Sequence, residues 1–244
     1  MDGCISGKTA YNTDPYPSGK MGVSLTSVEK LKRAVKMARD NKLQLAVHAM
    51  GDKAIQTVID VTKEMEPWLT TMPSVRIEHA SLMTDQMFAK IANSKMNYAL
   101  VTQPIFFFAE DESYRHYLSP AQFKLAYRVK TMLNSQAMLG LSSDAPCTPW
   151  AEPDSPFYSI YAAVTRKAAN DDIVNAEEAI TVPQAILGYT RDGAKIGGFD
   201  DNGTLEVGKA ADFVILNDDI FTVAHSELKN IHVNETWMAG KRVM

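Results

Sequence analysis

Apolar residues along this chain fall into two alternating rhythms. From Thr26 to about residue 41, Leu31, Val35 and Ala38 recur at helical spacing. Thr26 and Glu29 have the form of a capping box, which predicts a helix opening at Thr26. A mostly apolar run at 43–49 reads as a strand. After Gly51 and Asp52, a second helix is predicted over about 53–66, with Ala54, Val58, Val61 and Met65 on one face. The unit then recurs: a strand at 74–79, a helix from Thr84 to about 93, a strand at 96–103 and, after a further loop and helix, a strand at 137–144. Strands separated by helices of this length predict parallel β-α-β units, so the fold class is α/β with four visible parallel strands.

Residues 1–25 are rich in Gly, Pro, Ser and Asn and read as a long loop. The stretch 104–122 is irregular and bounded by prolines, and is predicted to be an elaborated loop at the C-terminal end of a strand. Two more helices are expected over 155–169 and 176–190. The character then changes: 203–209 reads as strand and turn, 211–216 as a strand, and 231–244 as a hairpin turning at Ala239 and Gly240. The chain thus divides into an α/β portion over 1–200 and a small β portion over 201–244.

Charge and composition narrow the function classes. A net charge of -4 with interspersed signs offers no basic surface, so no nucleic-acid partner is expected. No apolar run reaches the roughly 18 residues of a membrane span, and the first residues lack a signal-peptide core, which gives a cytoplasmic protein with no membrane partner as the expectation. Cys4 and Cys147 form no CxxC pair and read as plain thiols.

Three residues share one address. His48, His79 and Asp144 each end an apolar strand in the alternating series, the end that carries chemistry in parallel β/α folds. Imidazole and carboxylate suit zinc and similar divalent ions, and three protein ligands plus water make a catalytic site. Any one of these histidines alone would read as a satisfied buried side chain; the coincidence of three favours a site. Asp144, before Ala145 and Pro146, could otherwise cap a turn. Period-2 alternation turns Glu78 away from the face of His79, and Glu78 with Arg76 is expected to form an ion pair or to support the ligands. Asp52 reads as a cap of the second helix or as a catalytic group. The run Phe106 to Phe108 fits a pocket wall or plain packing.

Taken in order, several segments resemble the amidohydrolase superfamily, in particular its N-substituted formamide deformylase-like branch. They are Asp2-Gly3 with Lys8-Thr9-Ala10, residues 47–54 around His48, Arg76-Ile77-Glu78-His79-Ala80, Thr102-Gln103-Pro104, Ser142-Ser143-Asp144-Ala145-Pro146, Ala163-Val164-Thr165-Arg166, and residues 203–213. The resemblance implies a TIM-type (β/α)8 barrel with a small β-sandwich, of which this chain is the C-terminal half: strands five to eight within 1–200 and sandwich residues within 201–244. It puts His48, His79 and Asp144 at metal positions, with Asp144 as proton acceptor and donor. The implied reaction is hydrolysis of an amide-like C–N bond, of N-formyl or N-acyl amine type, by water activated on a divalent metal, zinc by ligand type.

Where the chain departs from the family pattern, further expectations arise. Its five histidines contain no His-x-His pair, and only Met1 precedes Asp2 where a fourth-strand lysine is expected; Lys8 lies downstream and does not take that role. No arginine stands in 119–123. The chain is therefore expected to begin after the first metal ligands and to hold metal weakly. The alternative is a non-catalytic half-barrel that self-associates or pairs with an N-terminal half. On that view Leu45, Val47, Ile77, Leu139 and Leu141 would be uncovered apolar residues.

Overall fold

The computed structural model describes residues 1–244, which form two compact units. The first comprises residues 1–102 and 110–139, the second residues 103–109 and 140–244.

Residues 1–25 contain no helix or strand, as expected. Helix α1, Val28–Asp40, buries Leu31, Val35 and Ala38 as the spacing predicted, but its cap is Ser27, whose hydroxyl accepts from the Lys30 N–H, rather than Thr26. Strand β1, Leu45–Ala49, is followed by α2, Asp52–Thr62. Strand β2, Val75–His79, leads to α3, Asp85–Ala92, capped by Thr84. Strand β3, Tyr98–Thr102, is buried along its whole length. β1 pairs in parallel with β2, and β2 with β3; with strand β4, Met138–Leu141, the sheet order is β1-β2-β3-β4. Neighbours in sequence are therefore neighbours in the sheet, the arrangement that successive right-handed crossovers give.

Between β3 and β4 the expectation of an elaborated loop is corrected. Residues Pro104–Tyr117 form helix α4, broken at Glu110 (φ -123°, ψ 15°), and α5, Pro120–Phe123, and α6, Val129–Leu133, follow. The first part of the helix, Pro104 to Phe108, is buried on every side and the break follows at Glu110, so no single amphipathic period runs through the sequence. Ser119 and Gln122 make a reciprocal capping box that opens α5.

The second unit contains α7, Pro156–Thr165, α8, Val182–Tyr189, and α9, Arg191–Gly197. A separate antiparallel sheet follows, in the order β5-β6-β7: Phe213–Leu216, Val233–Met238 and Lys241–Arg242. Ala239 and Gly240 both adopt positive φ, as a two-residue hairpin turn requires. Residues 203–209 contain no strand, contrary to expectation. No helix is long and apolar enough to cross a membrane.

The apolar strand residues expected to lie bare do not. Val47, Ile77, Leu139 and Leu141 are buried, and Leu45 is half-buried. On β1 and β2 the other residues left towards water are Ala46, His48, Arg76 and Glu78.

Candidate functional site

Parallel pairing sets Ala49 beside His79 and His48 beside Glu78, so the two histidines leave the sheet at the same end of adjacent strands. At His79 the backbone turns left-handed (φ 71°), and Ala80 continues so (φ 46°). Such residues persist only where their surroundings hold them. Here the Ala80 N–H donates to Ala49 O (3.1 Å) and the Leu82 N–H to Met50 O (3.2 Å). The turn ends strict alternation, and the His79 ring packs edge-on against His48, with centroids 4.5 Å apart. His79 is buried and His48 half-buried.

The exit of β1 is held by a residue far away in sequence. Asp2 is buried, and its carboxylate accepts from the backbone N–H groups of Tyr11 (2.8 Å), Met50 (3.1 Å) and Gly51 (2.8 Å). Burial raises this carboxyl above its usual range, while those N–H donors and nearby His48 pull it down. His48 Nε2 lies 3.1 Å from the Gly3 carbonyl oxygen and 3.6 Å from Asp2 Oδ1. Gly51 is pressed on the 9–11 turn: a Cβ there would sit 2.2 Å from Tyr11 O. Asp52 does not cap α2; Gly51 holds that position, and Asp52 accepts from the Thr13 N–H (2.8 Å).

Arg76 and Glu78 form the expected ion pair, alternating in burial with Val75, Ile77 and His79. Asp144 belongs to the second unit, three residues beyond the end of β4. It is exposed, has positive φ (52°), and its carbonyl accepts from the Cys147 N–H (3.0 Å). The structure thus brings two of the expected ligands together, and within either unit no group of three or more His, Cys, Asp or Glu side chains is arranged to hold a metal ion.

The pairing of histidines at neighbouring strand ends invites comparison with known proteins. The profile of the Amidohydrolase family matches residues 1–244. The chain belongs to the amidohydrolase family. The putative amidohydrolase YtcJ of Bacillus subtilis is 30% identical over 99% of this chain and 45% of its own length. N-substituted formamide deformylase of Arthrobacter pascens is 28% identical over 81% of this chain and 36% of its own length. The crystal structure of an uncharacterized metal-dependent hydrolase from Pyrococcus horikoshii matches with a TM-score of 0.78 at 30% identity, covering 92% of this chain and 44% of that one. The chain therefore spans less than half the length of each of these three relatives.

Other residues of this amidohydrolase chain have structural work. Phe106, Phe107 and Phe108 are buried; Phe108 packs on Tyr158 and Tyr161, and the Arg166 guanidinium lies 4.3 Å over Phe107, so packing rather than a pocket wall explains the run. Arg166 is itself buried at the end of α7 and donates to Val174 O (2.9 Å); burial lowers its pKa to about 10, against the pull of Glu178 and Glu177. His116, His225 and His232 are exposed, and Lys8 lies over the Tyr117 ring. A groove of about 660 Å³ in the second unit is walled by Phe199, Leu205, Phe213 and Trp237 and contains one carboxylate, Asp212, which accepts from Asn202 and from the Ala239 N–H. It holds no histidine or cysteine. Asp2 is what sequence reasoning missed as a site residue: it stands 46 positions before His48, and no spacing rule links them.

Proposed function

We propose that this chain is the part of a metal-dependent hydrolase of amide-like C–N bonds that carries His48 and His79 as ligands and Asp144 as the proton carrier, with N-formyl or N-acyl amines as substrates. The carrying observation is the pair of imidazoles in edge contact at the ends of adjacent parallel strands. Two neutral imidazoles fit a zinc-like divalent ion as part of its ligand set, and the relatives named above point to the same chemistry. When bound, such a metal supplies Lewis acidity and lowers the pKa of water.

The chain's own residues then divide the labour. The two rings are held by β1 and β2, and the Arg76–Glu78 pair lies on the strand beside His48, where it braces that edge. Asp144, exposed on a loop, accepts a proton from the attacking water and returns it to the leaving amine. The remaining ligands and walls come from residues beyond these 244, completing a (β/α)8 barrel whose second half is residues 1–200, with 201–244 contributing to a small β-sandwich.

A second reading, a non-catalytic unit that self-associates or pairs with an N-terminal half, is favoured by the exposure of Val214, Ile215 and Met238 on β5 and β6. Titration with cobalt(II), followed by its visible absorption, separates the readings. Weak binding lost in both His48→Ala and His79→Ala is expected for the hydrolase reading. Binding that survives both substitutions would sink it.

A further inference from the structure

We propose that Asp2 and Gly3 form a positioning element that sets the tautomer of His48, keeping its proton on Nε2 and leaving Nδ1 as the basic nitrogen. A carbonyl oxygen can only accept a hydrogen bond, so the imidazole nitrogen 3.1 Å from Gly3 O must carry the hydrogen. Asp2 Oδ1, 3.6 Å from the same nitrogen, adds a negative charge on that side. Which imidazole nitrogen is left basic is set by the hydrogen bond the other one donates, and here Nε2 donates to the backbone.

The contact is built rather than incidental. One buried carboxylate bonds Met50 and Gly51, two and three residues after His48, and also Tyr11, which closes the loop carrying Gly3. The histidine's backbone and the carbonyl that orients its ring are thereby referenced to the same two oxygens. Hydrogen bonds to an ionised acceptor are among the stronger ones a protein makes. Gly3 is fixed in turn: its N–H donates to Thr9 O (3.2 Å), and a Cβ would lie 2.2 Å from Thr9 Oγ1. A side chain at position 3 would force Gly3 or Thr9 to shift, and Gly3 carries the carbonyl that accepts the His48 hydrogen bond.

This inference deepens the reading of His48 as a working imidazole and rests on it for its use, but its test needs no metal. Two-bond proton–nitrogen correlation spectra of the whole chain, with neutral imidazoles, report each tautomer. The wild type is expected to show His48 as a single Nε2–H tautomer. Asp2→Ala, and to a lesser degree Asp2→Asn, should convert it to a mixture while the tautomer of His79 and the far-ultraviolet circular dichroism stay unchanged. A wild-type His48 protonated on Nδ1 overturns the proposal, whatever the variants do. So does an unchanged single tautomer in a folded Asp2→Ala chain. Cobalt affinity is read separately: Asp2→Asn is expected to weaken it about 10- to 100-fold. Absence of cobalt binding in the wild type, with the tautomer pattern as expected, would remove the metal reading and support the Asp2–Gly3 assignment.

Discussion

The two sheets differ in how much apolar side chain their strands leave exposed: Val214, Ile215 and Met238 on the second lie beside exposed Asn234, Lys241 and Arg242, and no large apolar residue of β1 or β2 is as exposed. On β1 and β2 the residues left towards water are Leu45, Ala46, His48, Arg76 and Glu78, and the three polar ones have partners on their own strands and loops. On the antiparallel sheet, Val214 and Ile215 are successive residues of β5, so they point to opposite faces, and both are exposed. β5 is also an edge strand, bonded only to β6. A polar face whose groups are already bonded is stable in water and can present chemistry. Apolar side chains exposed on an edge strand gain from being covered. On the two readings proposed above, the first sheet would be the working surface and the second the joining surface.

The largest test of that contrast sets two isoleucines against each other. Ile77 on β2 is fully buried, and Ile77→Ala should cost about 2–5 kcal/mol, because a cavity is left where the side chain was. Ile215→Ala, at a residue 44% exposed, should change stability by no more than about 0.5 kcal/mol. Denaturant unfolding of both variants measures this; equal losses would break the contrast. Next in size is association. The chain is expected to self-associate at low micromolar concentration in light scattering coupled to size exclusion. Paired substitutions Val214→Lys and Ile215→Lys should weaken that association at least about tenfold, roughly 1.4 kcal/mol. A monodisperse wild-type monomer that binds little hydrophobic dye would show that the second sheet needs no cover.

The smallest effect concerns a carboxyl at the break of α4. Burial raises the pKa of Glu110, against hydrogen bonds from Ser6 and Tyr114. A carboxyl with a raised folded pKa is penalised when ionised, so its cost is complete above the folded pKa and vanishes below the unfolded value, near about 4.3. Glu110→Gln should therefore stabilise the chain slightly at neutral pH, by less than about 1 kcal/mol. The advantage should disappear on acidification through that window. Thermal melts at pH 7 and pH 4 measure the difference, and a Gln variant less stable at neutral pH would contradict it.

Much of the first unit was legible because local signals agreed. The four strands lie within the predicted runs, and α1 and α3 end within two residues of their predicted limits, since period and caps point the same way there. Asp144 shows the limit of the strand rule: β4 stops at Leu141, and the apolar run carried the prediction past the last paired residue. Residues 104–117 failed for a different reason. Their helical signal is cut at Glu110, and a broken period looks like none. The pairing of His48 with His79 follows from parallel strand order and could be foreseen; the clamp from Asp2 arises from loop closure over a long separation, which no pattern encodes.

The contact between Gly51 and the Tyr11 backbone bears on how much variation this chain tolerates. A methyl group at position 51 would overlap main-chain atoms that no rotamer change can move aside. In a saturation library selected only for soluble, folded protein, position 51 should return glycine almost alone. Gly19, only two residues before the Met21 carbonyl that binds Asn12, has open space around it, and its positive φ is the main restriction there. Counting accepted residues at these two glycines would therefore map where the N-terminal loop is locked to the sheet and where it is merely turning.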